Sequence, residues 1–302
     1  MQPGDTVAIV SPSGPPNAVM LRRGVERLES LGLKVVLGAH ALDRQKLDYL
    51  AGSDAARAAD LQAAWCDPAV SAVFCCRGGY GAARLLDRLD WNAMRAAGRK
   101  VLVGSSDITA LHNAFAVELG VPTLHGPMPA SRIMADEKQP EPQSWESLRA
   151  ALFGADGPAH DYRVHGDRVL APGRAEGVLS GGNLSLLASM CGTRWQPSFQ
   201  GKIAFLEDVT EEPYRIDRML TQLLQAGVFE GVRGVALGSW VDCGDPYPVL
   251  RDRLAPLGVP VVAGLPVGHG SPQMSVWLGA LGVIDTESCS LAGRIGDEEQ
   301  AR

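Results

Sequence analysis

The sequence predicts an α/β chain in two parts: an N-terminal open, mostly parallel sheet with helices on both faces, then a smaller C-terminal α+β domain. Three observations lead there. Short apolar runs alternate with helical stretches from Thr6 to Leu119, the pattern of right-handed strand–helix–strand crossovers. Those runs are continuously Val-rich rather than alternating, as strands buried on both faces are. Beyond Gly173 helices thin out, and strands follow one another between Gly-dense turns.

In chain order, TVAIVSP reads as a strand. Ala18–Leu31 reads as a helix because Val19, Leu21, Val25, Leu28 and Leu31 recur at helical spacing. KVVLG is a second strand and Ala55–Cys66 a second helix; AVSAVFCC is a third strand, with a helix expected over Ala82–Leu89. KVLVGSS is a fourth strand before a helix over Ile108–Leu119. From Asp136 to Gly173, Pro140, Pro142, Gly154, Gly157, Pro158, Pro172 and Gly173 interrupt the pattern, leaving one helix-like piece near Trp145–Phe153. The expected division is therefore residues 1–155 for the first domain, 156–173 for a linker and 174–302 for the second domain. The last part holds VLSGGNLSLLASMCG, KIAFLEDV, a helix opening near Pro213, GVALGSW, VPVVAGLPVGHG and WLGALGVID.

The composition narrows the function classes. At 302 residues and 46% hydrophobic, the chain can bury a substantial core, which excludes intrinsic disorder. Its formal charge of −6 leaves no basic footprint, so nucleic acid is not an expected partner. The N-terminal stretch has no basic region before its short apolar run, and no segment approaches the roughly 18 apolar residues of a spanning helix. A cytoplasmic location without membrane attachment is expected. The six cysteines form no C-x-x-C pair, and Cys75 and Cys76, adjacent on a strand, point to opposite faces, so they read as buried thiols. With neither H-E-x-x-H nor paired Cys/His ligands, no metal site is expected.

Three segments carry candidate chemistry. VLVGSSDITALHNA puts Ser105, Ser106 and Asp107 between a strand and a helix. Such residues serve as helix caps, but a serine on a sharp strand-to-helix turn also projects its hydroxyl into the crevice at the carboxyl edge of an open sheet. FCCRGGYGAARLL places Arg77-Gly78-Gly79-Tyr80-Gly81 at a second such turn, where glycines admit positive φ or bring a backbone N–H against a reacting oxygen. It misses the dinucleotide pattern, because Arg84 stands at the third glycine position, and it is no P-loop. Glu207 ends the apolar strand KIAFLEDV, where a buried carboxylate needs a partner, and His269 stands between two glycines just after VPVVAGLPV. Ser106, His269 and Glu207 together supply nucleophile, base and orienting acid.

These blocks resemble the serine LD-carboxypeptidases, the muramoyltetrapeptide carboxypeptidases. The resemblance runs almost end to end through GDTVAIVSPSGP, CRGGYGAARLL, GSSDITALHNA, LHGPM, LSGGNLSLLASMCGT, FLEDVTEEPYRIDRMLTQL and GLPVGHGSPQ. Ser105 departs from it, standing where Tyr or Phe is common. The resemblance implies a class I glutaminase or flavodoxin-like first domain and a catalytic triad of Ser106, Glu207 and His269. Backbone N–H groups of Asp107 and of Gly78 or Gly79 are implied to form the oxyanion hole. The implied reaction is removal of terminal D-Ala from murein tetrapeptides in cell-wall recycling, with no cofactor, in a homodimer. A carboxypeptidase must also hold a free carboxylate, for which Arg77 and Arg218 are the candidates. The family also contains microcin-C-type immunity peptidases, which cleave peptidyl or aminoacyl nucleotides. A non-catalytic two-domain peptide-binding protein is the alternative of another class.

Overall fold

A computed structural model of the chain describes residues 1–154 and 162–294, in two compact units, Met1–Phe153 and Gly154–Arg302. The first unit runs β1 (Thr6–Val10), α1 (Ala18–Ser30), β2 (Lys34–Leu37), α2 (Asp54–Cys66), β3 (Val70–Cys75), α3 (Trp91–Ala96), β4 (Val101–Gly104), α4 (Thr109–Glu118), β5 (Thr123–His125), α5 (Arg132–Ala135) and α6 (Pro142–Phe153). Its strands pair in parallel in the order β5-β4-β3-β1-β2, the flavodoxin-like order expected. Val7, Ile9 and Val10 of β1 and Val73 and Phe74 of β3 are fully buried, which is why their runs are apolar on both faces. The strand order reverses between β1 and β3, and there the loops at the carboxyl ends part to leave a crevice.

Residues 82–88 wind as a 3-10 helix rather than the expected α-helix. Gly81 enters it at φ +127° with no side-chain cap, and the buried Ala82 and Leu85 recur at the three-residue spacing of that tighter winding. In α1 the Asn17 side chain caps the backbone N–H groups of Val19 and Met20, and Leu21, Gly24 and Leu28 face inward. Gly24 is there because a Cβ at that position would lie 2.1 Å from the carbonyl oxygen of Pro129. Ala ordinarily stabilises a helix interior over Gly by about 0.5–1 kcal/mol, but backbone overlap of this kind costs about 1–3 kcal/mol. Gly24→Ala is therefore expected to lower the thermal unfolding midpoint by several degrees, and a raised midpoint would show that α1 shifts freely.

The second unit runs β6 (Tyr162–His165), β7 (Arg168–Ala171), β8 (Arg174–Asn183), α7 (Leu184–Ser189), β9 (Lys202–Val209), α8 (Pro213–Gln225), β10 (Gly234–Val241), α9 (Tyr247–Leu254), β11 (Val261–Ala263), β12 (Val276–Leu278), β13 (Leu281–Asp285) and β14 (Ser290–Arg294). Eight of these strands form one sheet, ordered β6-β14-β13-β8-β9-β10-β11-β7. The run β8-β9-β10-β11 is parallel and the flanking pairs are antiparallel. Alternation along β9 divides the core: Ala204 and Leu206 pack with Leu187 of α7, Ile216, Leu220 and Leu223 of α8 and Leu250 of α9. Ile203 and Phe205 pack on the opposite face with Val262, Val276 and Leu278.

One expectation changes here. Within 156–173, residues 162–165 and 168–171 are strands rather than linker, while 155–161 lie outside the described residues. The second unit is a mixed sheet with a parallel centre, nearly as long as the first unit, because its middle strands are continuous apolar runs covered on both faces. Among the described residues, no helix is long and apolar enough to cross a membrane.

Candidate active site

Because β1, β3 and β4 are parallel neighbours, the segments that follow them leave the sheet along one edge. Ser106 follows β4 at φ +62°, a left-handed conformation that costs a residue with a side chain about 1–3 kcal/mol and persists where surrounding contacts enforce it. It opens a single 3-10 turn, Ser106–Ile108, that runs into α4, so backbone N–H groups and the positive end of a helix dipole lie beside the half-buried hydroxyl. A Cβ on Gly78 would lie 2.8 Å from Ser106 Cβ, 2.9 Å from its Oγ and 3.5 Å from the backbone nitrogen of Asp107. Only glycine lets the turn after β3 approach the serine this closely. Gly79, at φ +115°, faces Gly14 instead, so of the two glycines expected near the serine it is Gly78 that adjoins it.

The Asp107 side chain turns inward. Its carboxylate accepts hydrogen bonds from Ser13 Oγ at 2.5 Å and from the backbone N–H of Ala82 at 2.8 Å. One buried carboxylate thus ties together the segments after β1, β3 and β4. Burial pushes its pKa above the usual carboxylate range, against the pull of those two hydrogen bonds and of the Arg57 charge. Arg57, buried on α2, donates to the carbonyls of Pro12 and Gly81 and to Asp54, bracing the same segments from below. Neither Ser13 nor Arg57 was singled out by sequence. TVAIVSPSGPP carried a signal, since its serines follow the end of an apolar strand as Ser106 does. His112 also supports this edge: its ring lies 2.8 Å from Thr123 Oγ1 and 3.0 Å from the Gly104 carbonyl, and burial lowers its pKa to about 4, keeping it neutral.

In the second unit, Glu207 at the end of β9 is fully buried, and its Oε2 lies 2.6 Å from Nδ1 of His269. An ionised carboxylate can only accept, so Nδ1 carries the proton and Nε2 of the neutral ring carries the lone pair of a general base. Burial disfavours the charged imidazolium, but the Glu207 hydrogen bond and the charges of Glu207 and Asp208 outweigh it and raise the His269 pKa above its ordinary value. The loop bearing His269 is held by backbone bonds from Leu265 to Leu237 and from Ser239 to Val267, and by Gly270 N–H donating to Ser239 Oγ at 2.9 Å. Gly268 is required there, since at φ +117° a Cβ would lie 2.5 Å from Glu207 Oε2. Ser239 is a further supporting residue that sequence did not mark.

Asp208, the neighbouring carboxylate, points to the other face of β9. It accepts from Asn183 Nδ2, from the backbone N–H of Ser185 at the start of α7 and from that of Val209 at the end of β9, and burial raises its pKa to about 6. Arg77 follows β3 and lines a cavity in the first unit together with Gly79. Arg218 lies exposed on α8 with its guanidinium 5.8 Å from the centre of the Tyr214 ring. No group of three or more His, Cys, Asp or Glu side chains able to hold a metal occurs among the described residues.

A hydroxyl on a strained strand-to-helix turn under a glycine, and an imidazole held by a buried carboxylate, are the parts that acyl transfer requires. Known proteins with the same two-part chain agree with that chemistry. Residues 7–126 match the LD-carboxypeptidase N-terminal domain and residues 176–284 match the LD-carboxypeptidase C-terminal domain. A murein tetrapeptide carboxypeptidase of Pseudomonas aeruginosa is 34% identical over 293 residues, covering 92% of this chain and 92% of that one. Among solved structures, a muramoyltetrapeptide carboxypeptidase from Oxalobacter formigenes superposes with a TM-score of 0.84 at 29% identity, over 97% of this chain and 99% of that one. A microcin C7 self-immunity protein, MccF, in complex with glutamyl sulfamoyl guanosine superposes with a TM-score of 0.87 at 25% identity, over 98% and 97% of the two chains. With both halves matched and full-length relatives above 30% identity, the chain belongs to the LD-carboxypeptidase family of serine hydrolases.

Proposed function

We propose that this enzyme releases terminal D-Ala from murein tetrapeptides through an acyl-enzyme formed on Ser106. His269 Nε2 takes the Ser106 proton as the hydroxyl attacks the carbonyl carbon of the penultimate residue, and then gives it to the departing D-Ala amine. Water, deprotonated by the same imidazole, hydrolyses the ester and restores the serine. Glu207 holds the ring in the tautomer that leaves Nε2 basic and stabilises the imidazolium. The backbone N–H groups of Asp107 and Gly78 stabilise the tetrahedral oxyanion, each worth on the order of 10²–10³ in rate. Nucleophile and base come from different domains, with no cofactor, and a cytoplasmic homodimer is the setting the family resemblance implies.

The observation that carries this proposal is the 2.6 Å hydrogen bond between His269 and a fully buried Glu207, which gives the buried carboxylate a partner and poises the ring as a base. The murein substrate follows from the relative in Pseudomonas aeruginosa and the Oxalobacter formigenes structure, both named for that activity. Mass spectrometry of a murein tetrapeptide incubated with the protein is expected to show tripeptide and free D-Ala. A parallel incubation with an aminoacyl sulfamoyl nucleotide tests the microcin-type activity. Intact tetrapeptide beside a cleaved nucleotide conjugate would overturn the assignment in favour of that activity, and binding of the tetrapeptide without cleavage would make the protein a receptor.

A further inference from the structure

Beside the turn that adjoins Ser106, the first unit has a cavity of about 310 Å³ whose lining includes Arg44, Asp48, Tyr49, Arg77, Gly79 and Tyr80. It opens at the β1/β3 switch point, where open sheets of this order bind ligands. Two cations face one acid in it, an excess of one positive charge in a chain whose net charge is −6. Both guanidinium groups are anchored on the same short segment: Arg77 donates to the Pro15 carbonyl and Arg44 to the Pro16 carbonyl, each at 3.3 Å. A guanidinium has five N–H donors, of which such an anchor takes one. Tyr49 and Tyr80, 48% and 50% exposed, form an edge-to-face pair with ring centres 5.9 Å apart and give the cavity an apolar wall.

We propose that this cavity is the subsite for the free carboxylate of the C-terminal residue, with Arg77 its direct partner and Arg44 a supporting charge. This assignment rests on Ser106 being the nucleophile. In a carboxypeptidase substrate three bonds, about 4 Å in all, separate the scissile carbonyl carbon from the terminal carboxylate carbon. The carboxylate partner therefore has to stand about one residue's breadth from the serine. Gly78 and Gly79 follow Arg77 on the turn that meets the serine, and Gly14 packs on them. A Cβ on Gly78 would touch Ser106, one on Gly14 would lie 3.1 Å from the Gly78 carbonyl and 3.7 Å from Arg77 Cζ, and one on Gly79 would lie 3.8 Å from Arg77 Nη2. Arg77 thus stands on the turn that flanks the nucleophile, and side chains at 14, 78 or 79 would crowd that turn. A planar guanidinium matches a carboxylate two bonds at a time, which separates an acid terminus from an amide. Arg218, on an exposed face of α8, has no comparable enclosure.

The test compares a murein tetrapeptide ending in D-Ala with the same peptide ending in D-alaninamide. Wild type is expected to favour the acid in kcat/KM by about 10- to 100-fold, the range of a charge-assisted pair. Arg77→Gln is expected to bring that ratio to within about threefold, with Arg77→Lys between the two. Equal loss on both peptides, or a ratio that survives Arg77→Gln, would overturn the subsite. Affinities of both peptides for Ser106→Ala, with and without Arg77→Gln, provide a readout independent of turnover. If wild type cleaves neither peptide, the catalytic assignment fails, while the acid-to-amide binding ratio and its loss with Arg77→Gln still decide for or against the cavity.

Discussion

Ser106→Ala is expected to lower kcat for D-Ala release by about 10⁶-fold, the loss seen when the nucleophile of a serine triad is removed. No second hydroxyl replaces it. Ser105 is buried in extended backbone at φ −154°, whereas Ser106 is half-buried at φ +62° with Gly78 close against it. Ser105→Ala is therefore the control and is expected to stay within about tenfold of wild type. The fold should not register the Ser106 change: Ser and Ala bear the same backbone strain there, and one hydroxyl from a half-buried residue alters stability by about 0.5 kcal/mol or less. Single-turnover assays with chromatographic D-Ala measurement, alongside thermal melts, decide the matter. Retention of more than a tenth of the wild-type rate would remove Ser106 from the mechanism, and a collapsed melting curve would reassign it to structure.

The serine was legible because everything that exposes it is local. A continuous apolar strand, a small polar residue and a helix follow one another within KVLVGSSDITALHNA, and the turn between them is the one that stands at φ +62°. The clamp behind it was not, because Ser13, Ala82 and Asp107 come from three separate loops and meet only once β1, β3 and β4 lie side by side. The strands at 162–165 and 168–171 were missed for a different reason. They are the two edges of the eight-stranded sheet, so they carry Arg163, His165 and Arg168 on exposed faces instead of an apolar run. Glu207 and Asp208 are adjacent carboxylates that composition cannot rank, but strand alternation separates them. The Ile203 and Phe205 face continues to Glu207 and His269, and the Ala204 and Leu206 face continues to Asp208 and the start of α7.

That separation gives Glu207→Gln a kinetic signature that a packing role could not produce. The base form of His269 is the neutral ring, so kcat/KM should be low at acid pH and rise to a plateau as pH passes the pKa of the free enzyme's imidazole. In the native protein that pKa stands above its ordinary value because the hydrogen bond and charge of Glu207, with the charge of Asp208, outweigh burial. Gln at 207 removes the nearer charge and leaves the burial, so the imidazolium becomes less favourable and the acid limb moves to lower pH. The rate falls at the same time. An amide can present its NH₂ group to Nδ1, which puts the ring proton on Nε2 and disables the base, a change worth about 10⁴-fold in kcat for the equivalent exchange in a Ser-His-Asp triad. A slower enzyme whose acid limb has moved down is therefore the expected pair of results for Glu207→Gln. If the rate drops while the limb stays in place, the group controlling kcat/KM is not His269, and Glu207 supports the loop rather than the chemistry.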